Sequence, residues 1–357
     1  MKILILANKD LGLYQFRKEL IGRLLEEHSV VLSLPYGELI DPLVAAGCRF
    51  IDTPLDRRGI NPLTDLKLFR RYKKILRSER PDLVITYTIK PNVYGGFACR
   101  RLGIPYCANI TGLGTAFQGG GLLKRFVTLL YKTALKKAKT VFFENAENKQ
   151  IFLDLGIVPE GKTCLLNGAG VNLEHFEPVP YPAGETTRFL FVGRLMREKG
   201  LDELLAAAKR LYTEDCSIHL DLLGEAEEDY SDAIRAGETE GWLTYHGYQT
   251  DVRPFIASSH CFVLPSWHEG MANTNLECAA SARPVITSRI HGCMEAVEDG
   301  VTGFLCEKKD ADSLYAAMRR FLSLSGEARR QMGLDGRARM EALFDKRQVI
   351  AETIKHL

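Results

Sequence analysis

The 357-residue chain has no C-x-x-C pair and no cluster of histidine and cysteine at metal-ligand spacing, which argues against a metal centre. No apolar run approaches the ~20 residues of a helical membrane span. The opening run Met1-Lys2-Ile3-Leu4-Ile5-Leu6-Ala7 is too short for a secretory signal and reads as a first strand. Nine cysteines, an odd number scattered mostly through apolar runs, read as reduced, buried thiols in the cytosol. Net charge is only +2, and no nucleic-acid-binding motif accompanies the basic residues. Nor is there a sequence repeat strong enough for a solenoid.

What is present is alternation. The length exceeds one ordinary core, so two domains are expected. Short apolar strands at Lys2–Ala7, Ser29–Leu34, Cys48–Asp52, Leu83–Thr86, Tyr106–Ile110, Thr140–Phe143 and Cys164–Leu166 alternate with amphipathic helices at Phe16–Glu26, Leu63–Ser78, Asn92–Leu102, Leu122–Ala138 and Ala146–Leu155. Residues 178–187 hold three prolines and a glycine without periodicity and read as a linker. The alternation then restarts at 188–192 and runs to helices at 310–324, 326–342 and 346–356. The expected architecture is α/β: two doubly wound Rossmann-like domains, 1–180 and 181–357, facing a cleft, with the last helix returning to the first domain. Charge divides unevenly between them. Residues 1–180 contain 26 Lys+Arg and 17 Asp+Glu, net +9, and the remainder 21 and 28, net −7. A basic first half suits an anionic partner.

Two strand-loop-helix junctions carry chemistry. After the strand Cys261–Leu264 come Glu269-Gly270-Met271-Ala272-Asn273-Thr274-Asn275-Leu276-Glu277, with Asn273 and Thr274 suited to cap the following helix, whose N-terminus is an anion site. About 70 residues earlier, Phe189–Val192 leads into Gly193-Arg194-Leu195-Met196-Arg197-Glu198-Lys199-Gly200. Arg194 can fork onto phosphate oxygens and Lys199 add a point charge, stabilising negative charge on a leaving diphosphate. Glu277 can accept hydrogen bonds from a ribose diol, or simply favour the helix dipole. Glu269 can hold sugar hydroxyls or a cationic, oxocarbenium-like centre, or be an exposed loop acid. Each charge alone reads more readily as solvated surface; together they fit a nucleotide-sugar diphosphate.

These segments resemble retaining glycosyltransferases of family four, with the GT-B fold. Gly193-Arg194 with Glu198-Lys199-Gly200 resembles the diphosphate motif, and Glu269-x7-Glu277 the Glu-x7-Glu motif. The segment His291-Gly292-Cys293-Met294-Glu295 through Gly303-Phe304-Leu305, and Gly170-Val171-Asn172 with Phe176 and Pro178, match further family stretches. The resemblance implies transfer with retained anomeric configuration, with no cofactor and no divalent metal; no convincing D-x-D pair is found. It places Arg194 and Lys199 on the diphosphate, Glu277 on the ribose and Glu269 on the donor sugar. Backbone amides of Gly270, Met271 and Ala272 lie near the sugar, and those of Thr274, Asn275 and Leu276 near the phosphates. The base lies near Gly224 and Gly247-Tyr248. The donor is expected to be a UDP-linked hexose or N-acetylhexosamine. The chain also departs from the family. Glu269-Gly270-Met271-Ala272 stands where many members have Glu-Gly-Phe-Pro. Gly12 alone replaces a multi-glycine loop after the first strand, still able to let backbone approach the donor phosphate. No histidine occupies Ala108-Asn109-Ile110-Thr111-Gly112.

The first domain is expected to choose the acceptor, through Tyr14, Arg17, Lys90, Asn109 and Thr111, with Asn61-Pro62 and Gly112-Leu113-Gly114 read as turn chemistry. The motif order is similar to that of bacterial transferases extending undecaprenyl-diphosphate-linked sugars in O-antigen, capsule or glycan assembly, such as those adding N-acetylgalactosamine to lipid-linked diacetylbacillosamine. Two basic amphipathic stretches, Leu66–Arg77 and Leu122–Lys139, suit an anionic membrane surface, which places the protein peripherally on the inner face of the cytoplasmic membrane. They serve equally as ordinary helices with solvated basic faces. Competing functions are a nucleotide-sugar 2-epimerase of the same fold and a silent sugar-nucleotide-binding subunit.

Overall fold

The computed structural model describes residues 1–56, 61–113, 117, 121–214 and 217–357; Gly114, Cys216 and the Leu122 side chain fall outside them. Two compact units are present. One comprises Met1–Ala169 and Gln348–Leu357, the other Gly170–Arg347.

The first unit is a seven-stranded parallel sheet of order β3-β2-β1-β4-β5-β6-β7. Its strands are β1 (Lys2–Leu6), β2 (Ser29–Leu34), β3 (Arg49–Asp52), β4 (Leu83–Tyr87), β5 (Tyr106–Ile110), β6 (Val141–Phe143) and β7 (Thr163–Leu165). Its helices are α1 (Asp10–Leu25), α2 (Asp41–Ala45), α3 (Pro62–Glu79), α4 (Gly96–Leu102), α5 (Leu122–Leu135) and α6 (Ala146–Asp154). A π-helix, Pro91–Gly95, leads directly into α4. Alternation along β1 fills both faces: Ile3 and Ile5 enter one core, Leu4 and Leu6 the other. Asn61 caps α3 by accepting from the Leu63 amide at 2.9 Å, ahead of Pro62 at the first helical position, as turn chemistry predicts.

The second unit repeats the plan with order β10-β9-β8-β11-β12-β13. The strands are β8 (Thr187–Val192), β9 (Ile218–Leu223), β10 (Leu243–Tyr245), β11 (Cys261–Leu264), β12 (Val285–Ser288) and β13 (Gly303–Cys306). Helices α7 (Leu201–Glu214), α8 (Ser231–Glu240), α9 (Arg253–Ser258), α10 (Asn273–Ala280), α11 (Ala311–Leu322) and α12 (Gly326–Leu343) cover it. The last helix, α13 (Lys346–Lys355), begins at its end and lies mostly in the first unit. The strand β13 is the one the periodicity does not announce: it is four residues long and forms the sheet edge.

The units divide at Gly170, ahead of the 178–187 stretch. Val171 already belongs to the second core and bonds to the Phe344 carbonyl at 2.8 Å. A Cβ at Gly170, with φ +67°, would lie 2.6 Å from the Lys346 backbone. The proline-rich stretch is packed down. Arg283, fully buried, donates to the carbonyls of Val179 at 3.1 Å and Pro180 at 2.7 Å. The same guanidinium serves Ile256 and Ala257, so one side chain ties this stretch to the end of α9. The eight described cysteines are all free and buried.

Candidate active site

In an open doubly wound sheet, ligands lie beyond the strand carboxyl ends where strand order reverses. In the second unit that switch point falls between β8 and β11. The two loops leaving it are Gly193–Gly200 and Pro265–Ala272, the two charged junctions.

Glycines let these loops meet. Gly200, at φ +73°, ends the short helix Arg197–Lys199, and a Cβ there would be 2.1 Å from the Pro265 carbonyl oxygen. One at Gly224 would be 1.9 Å from the Gly193 carbonyl oxygen. One at Gly292, φ +90°, would be 2.7 Å from the Glu269 carbonyl oxygen. The Trp267 amide donates to the Glu198 carbonyl at 2.9 Å, and the Ala272 amide to Gly292 at 2.7 Å.

On this scaffold Lys199 Nζ forms an ion pair with Glu269 Oε1, and Ser266 Oγ donates to the same oxygen at 2.8 Å. Arg194 pairs with Glu227, a partner the sequence reading does not supply. The helix α10 begins at Asn273 with Ala272 as its N-cap and no side chain capping it. Asn273 and Thr274 are therefore its first helical residues, not its caps. Among the described residues the Asn273 Oδ1, the His268 Nε2 and the Asn275 Oδ1 are buried without a partner. Buried Asn275 is oriented by its Nδ2 on Thr287 Oγ1 at 3.1 Å. Met271 and Ala272 are buried; Leu276 is core. Glu277 is half-buried. Burial pushes its carboxyl up to about 7 against the opposing charge of Lys346. Buried polar atoms without protein partners are uncommon in a folded chain and are met by water, an ion or a ligand.

In the first unit the switch point lies between β1 and β4. Gly12 is inside the first turn of α1, which starts six residues before the predicted Phe16, and a Cβ there would meet nothing within 4 Å. Arg17 is buried in an ion pair with Glu144, its guanidinium 5.1 Å from the Tyr87 ring centroid. Burial raises the Glu144 carboxyl, and Arg17 opposes the shift. Lys90 pairs with Asp65 at 2.8 Å, and Tyr94 donates to the same carboxylate at 2.8 Å. Asn109 is buried, its Nδ2 on the Thr86 carbonyl at 3.3 Å and its carbonyl accepting from Asn92. Tyr14 carries Lys18 over its ring, and Thr111 is half-buried after β5. Sequence reasoning missed Thr88. Its φ is +72°, unusual for a β-branched residue, and its buried hydroxyl has no partner. No pattern in the sequence announces such strain.

Among the described residues, the one trio able to hold an ion is Cys164, Glu352 and His356 in the first unit, with ligand atoms within 4.8 Å of one another. No described helix is long and apolar enough to cross a membrane.

Two parallel doubly wound units, the second with charge of both signs at its switch point, define the GT-B glycosyltransferase class. Residues 18–169 match the glycosyl transferase 4-like domain, and residues 186–323 match glycosyl transferases group 1. The chain belongs to glycosyltransferase family four, as its motifs imply. It is similar to the N,N'-diacetylbacillosaminyl-diphospho-undecaprenol alpha-1,3-N-acetylgalactosaminyltransferase of Campylobacter jejuni, 27% identical over 99% of this chain and 96% of the relative. It is also 28% identical to the UDP-Gal:alpha-D-GlcNAc-diphosphoundecaprenol alpha-1,3-galactosyltransferase of Escherichia coli, over 74% and 72%. Among solved structures, Anabaena HepE in complex with UDP and glucose superposes over the whole of both chains with a TM-score of 0.82 at 18% identity, a likeness of fold.

Proposed function

We propose that this glycosyltransferase moves a sugar from a UDP-sugar to a polyprenyl-diphosphate-linked saccharide in surface polysaccharide or glycan assembly, with retained configuration and without metal or cofactor. The observation that carries the reading is the junction of Lys199 with Glu269 at the second switch point, flanked by Arg194 and Glu277. Both relatives, matched over 96% and 72% of their own lengths, are named as transferases acting on undecaprenol diphosphates.

In this reading Arg194 and Lys199 exchange their carboxylate partners for the diphosphate and neutralise it as it leaves. Glu269, released from Lys199, holds the donor sugar. Glu277 accepts from the ribose diol, and amides of Gly270–Ala272 and Thr274–Leu276 line sugar and phosphates. Departing diphosphate oxygen takes the acceptor proton. Tyr14, Arg17, Lys90, Asn109 and Thr111 lie on the acceptor side, with Arg17, Lys90 and Asn109 acting as supports, given their buried partners. The basic faces of α3 and α5 hold the protein peripherally on the anionic inner face of the cytoplasmic membrane.

The test is a panel of UDP- and GDP-sugars with and without a short polyprenyl-diphosphate sugar. The expected result is thermal stabilisation by a UDP-sugar and acceptor-dependent release of UDP. Conversion of the sugar without acceptor would instead establish an epimerase, and stabilisation without turnover a silent binding subunit.

A further inference from the structure

The first unit carries a groove that the transfer chemistry does not use. It runs between α3 and α5 across α4 and encloses about 620 Å³. Its two ends differ in chemistry. The early turns of α3 and α5 supply Leu66, Phe69 and Phe126, with Phe97 of α4 between them; Phe126 is 54% exposed. The other end holds Arg100 and Arg101, in the last turn of α4, and Lys137 just past α5. Arg100 is fixed there by donating to the Thr133 carbonyl. Residues 121–139 contain six Lys+Arg and no acid. The acid in the groove wall, Asp65, is already neutralised by Lys90.

The helices of a doubly wound unit run antiparallel to its strands. The apolar end of the groove thus faces the strand carboxyl ends, and the cationic end the opposite edge. An acceptor diphosphate must reach the strand carboxyl ends. The groove's polarity is the reverse of what that lipid needs, and it fits a separate anionic lipid.

We propose that this groove binds one anionic phospholipid of the membrane, a hydrocarbon chain against Phe69, Phe97 and Phe126 and the phosphate against Arg100, Arg101 and Lys137. The proposal deepens the membrane attachment of the proposed function and rests on it for the presence of a bilayer. It replaces diffuse adsorption with a saturable site.

The full chain is titrated with dioctanoyl phosphatidylglycerol below its micelle concentration, with dioctanoyl phosphatidylcholine and with glycerol phosphate. The expected result is saturation by the first at one molecule per chain, the others binding at least about tenfold more weakly. Replacing Arg101 and Lys137 by Gln weakens it by roughly tenfold or more, whereas Arg70→Gln with Arg71→Gln on the outer face of α3 changes it little. Leu66→Ser with Phe126→Ser, checked for an unchanged melting curve, also removes saturation. Equal loss from both charge pairs, or no saturation in the unaltered protein, overturns the groove. Transfer to a short soluble acceptor is followed in parallel. Saturable lipid binding without transfer supports the groove while rejecting the proposed function; transfer without saturable binding rejects the groove alone.

Discussion

Lys199 and Glu269, seventy positions apart, form one ion pair that closes the two loops of the second switch point on each other. Both side chains are largely buried, at 20% and 12% exposure, so neither charge is free to solvate itself. On the proposed function, an entering donor replaces each with another partner.

Glu269→Ala is expected to cut turnover by about 10²–10³, the scale of losing one preorganised electrostatic group. Lys199→Ala should fall in the same range. Acceptor-dependent UDP release measures both, with melting curves as the control for folding. Turnover equal to the unaltered enzyme would remove Glu269 from the chemistry.

With Glu277 on the ribose, as proposed, donor binding is expected to depend on pH. Burial pushes the Glu277 carboxyl up to about 7, and the carboxylate accepts from two ribose hydroxyls more strongly than the neutral acid does. Affinity for UDP should therefore weaken as pH falls from 8 to 6, and Glu277→Gln should bind weakly with no such slope. The stability sign is opposite. The folded pKa lies above the unfolded one, so this group costs stability progressively as pH rises from about 4.5 to 7. Glu277→Gln should gain stability at pH 8 and none at pH 4, read by urea unfolding.

Gly292→Ala tests the close approach to Glu269. The added Cβ meets the Glu269 and Gly270 carbonyls at 2.7 and 2.8 Å in a left-handed backbone. A cost of about 1–3 kcal/mol in unfolding is expected, together with a larger fractional loss of donor affinity as the Glu269 loop shifts. Unchanged UDP affinity would separate Gly292 from the site.

Thr88→Gly relieves a left-handed β-branched residue. The variant should be more stable by up to about 1 kcal/mol, after the greater unfolded-state entropy of glycine is offset. Acceptor turnover should drop if the strained hydroxyl meets acceptor. Unchanged KM for acceptor with higher stability would assign the strain to folding alone.

Arg283→Met removes the guanidinium that serves Val179, Pro180, Ile256 and Ala257. Several buried carbonyls lose their donor, so a loss of about 3–5 kcal/mol is expected in chemical unfolding. Burial lowers this guanidinium to about 10, still charged at neutral pH. A loss below about 1 kcal/mol would mean that water replaces it.

Much of this was legible in the chain. Alternating apolar runs located most of the described strands, because a strand buried on both faces writes a continuous apolar signal. Edge strand β13, four residues opening on Gly303, left little trace. Glycine and carboxylate spacing located the second switch point, since local turns and helix starts are encoded within a few residues. The acceptor side was less legible. Arg17, Lys90 and Asn109 read as open polar groups, yet each has a buried partner: Glu144, Asp65 and the Thr86–Asn92 pair. A buried charge needs compensation, and its source can lie over a hundred positions away, as Glu144 does from Arg17.

The amino-acid sequence by itself determined two parallel doubly wound units and the identity of the charged groups at their strand ends, because periodicity and turn chemistry are local. Only tertiary structure decided that Lys199 meets Glu269, that Arg194 is held by Glu227, and that the Glu277 carboxyl is half-buried near Lys346. Those outcomes depend on glycine-permitted backbone contacts at Gly200, Gly224 and Gly292, where distant loops approach closer than any side chain allows.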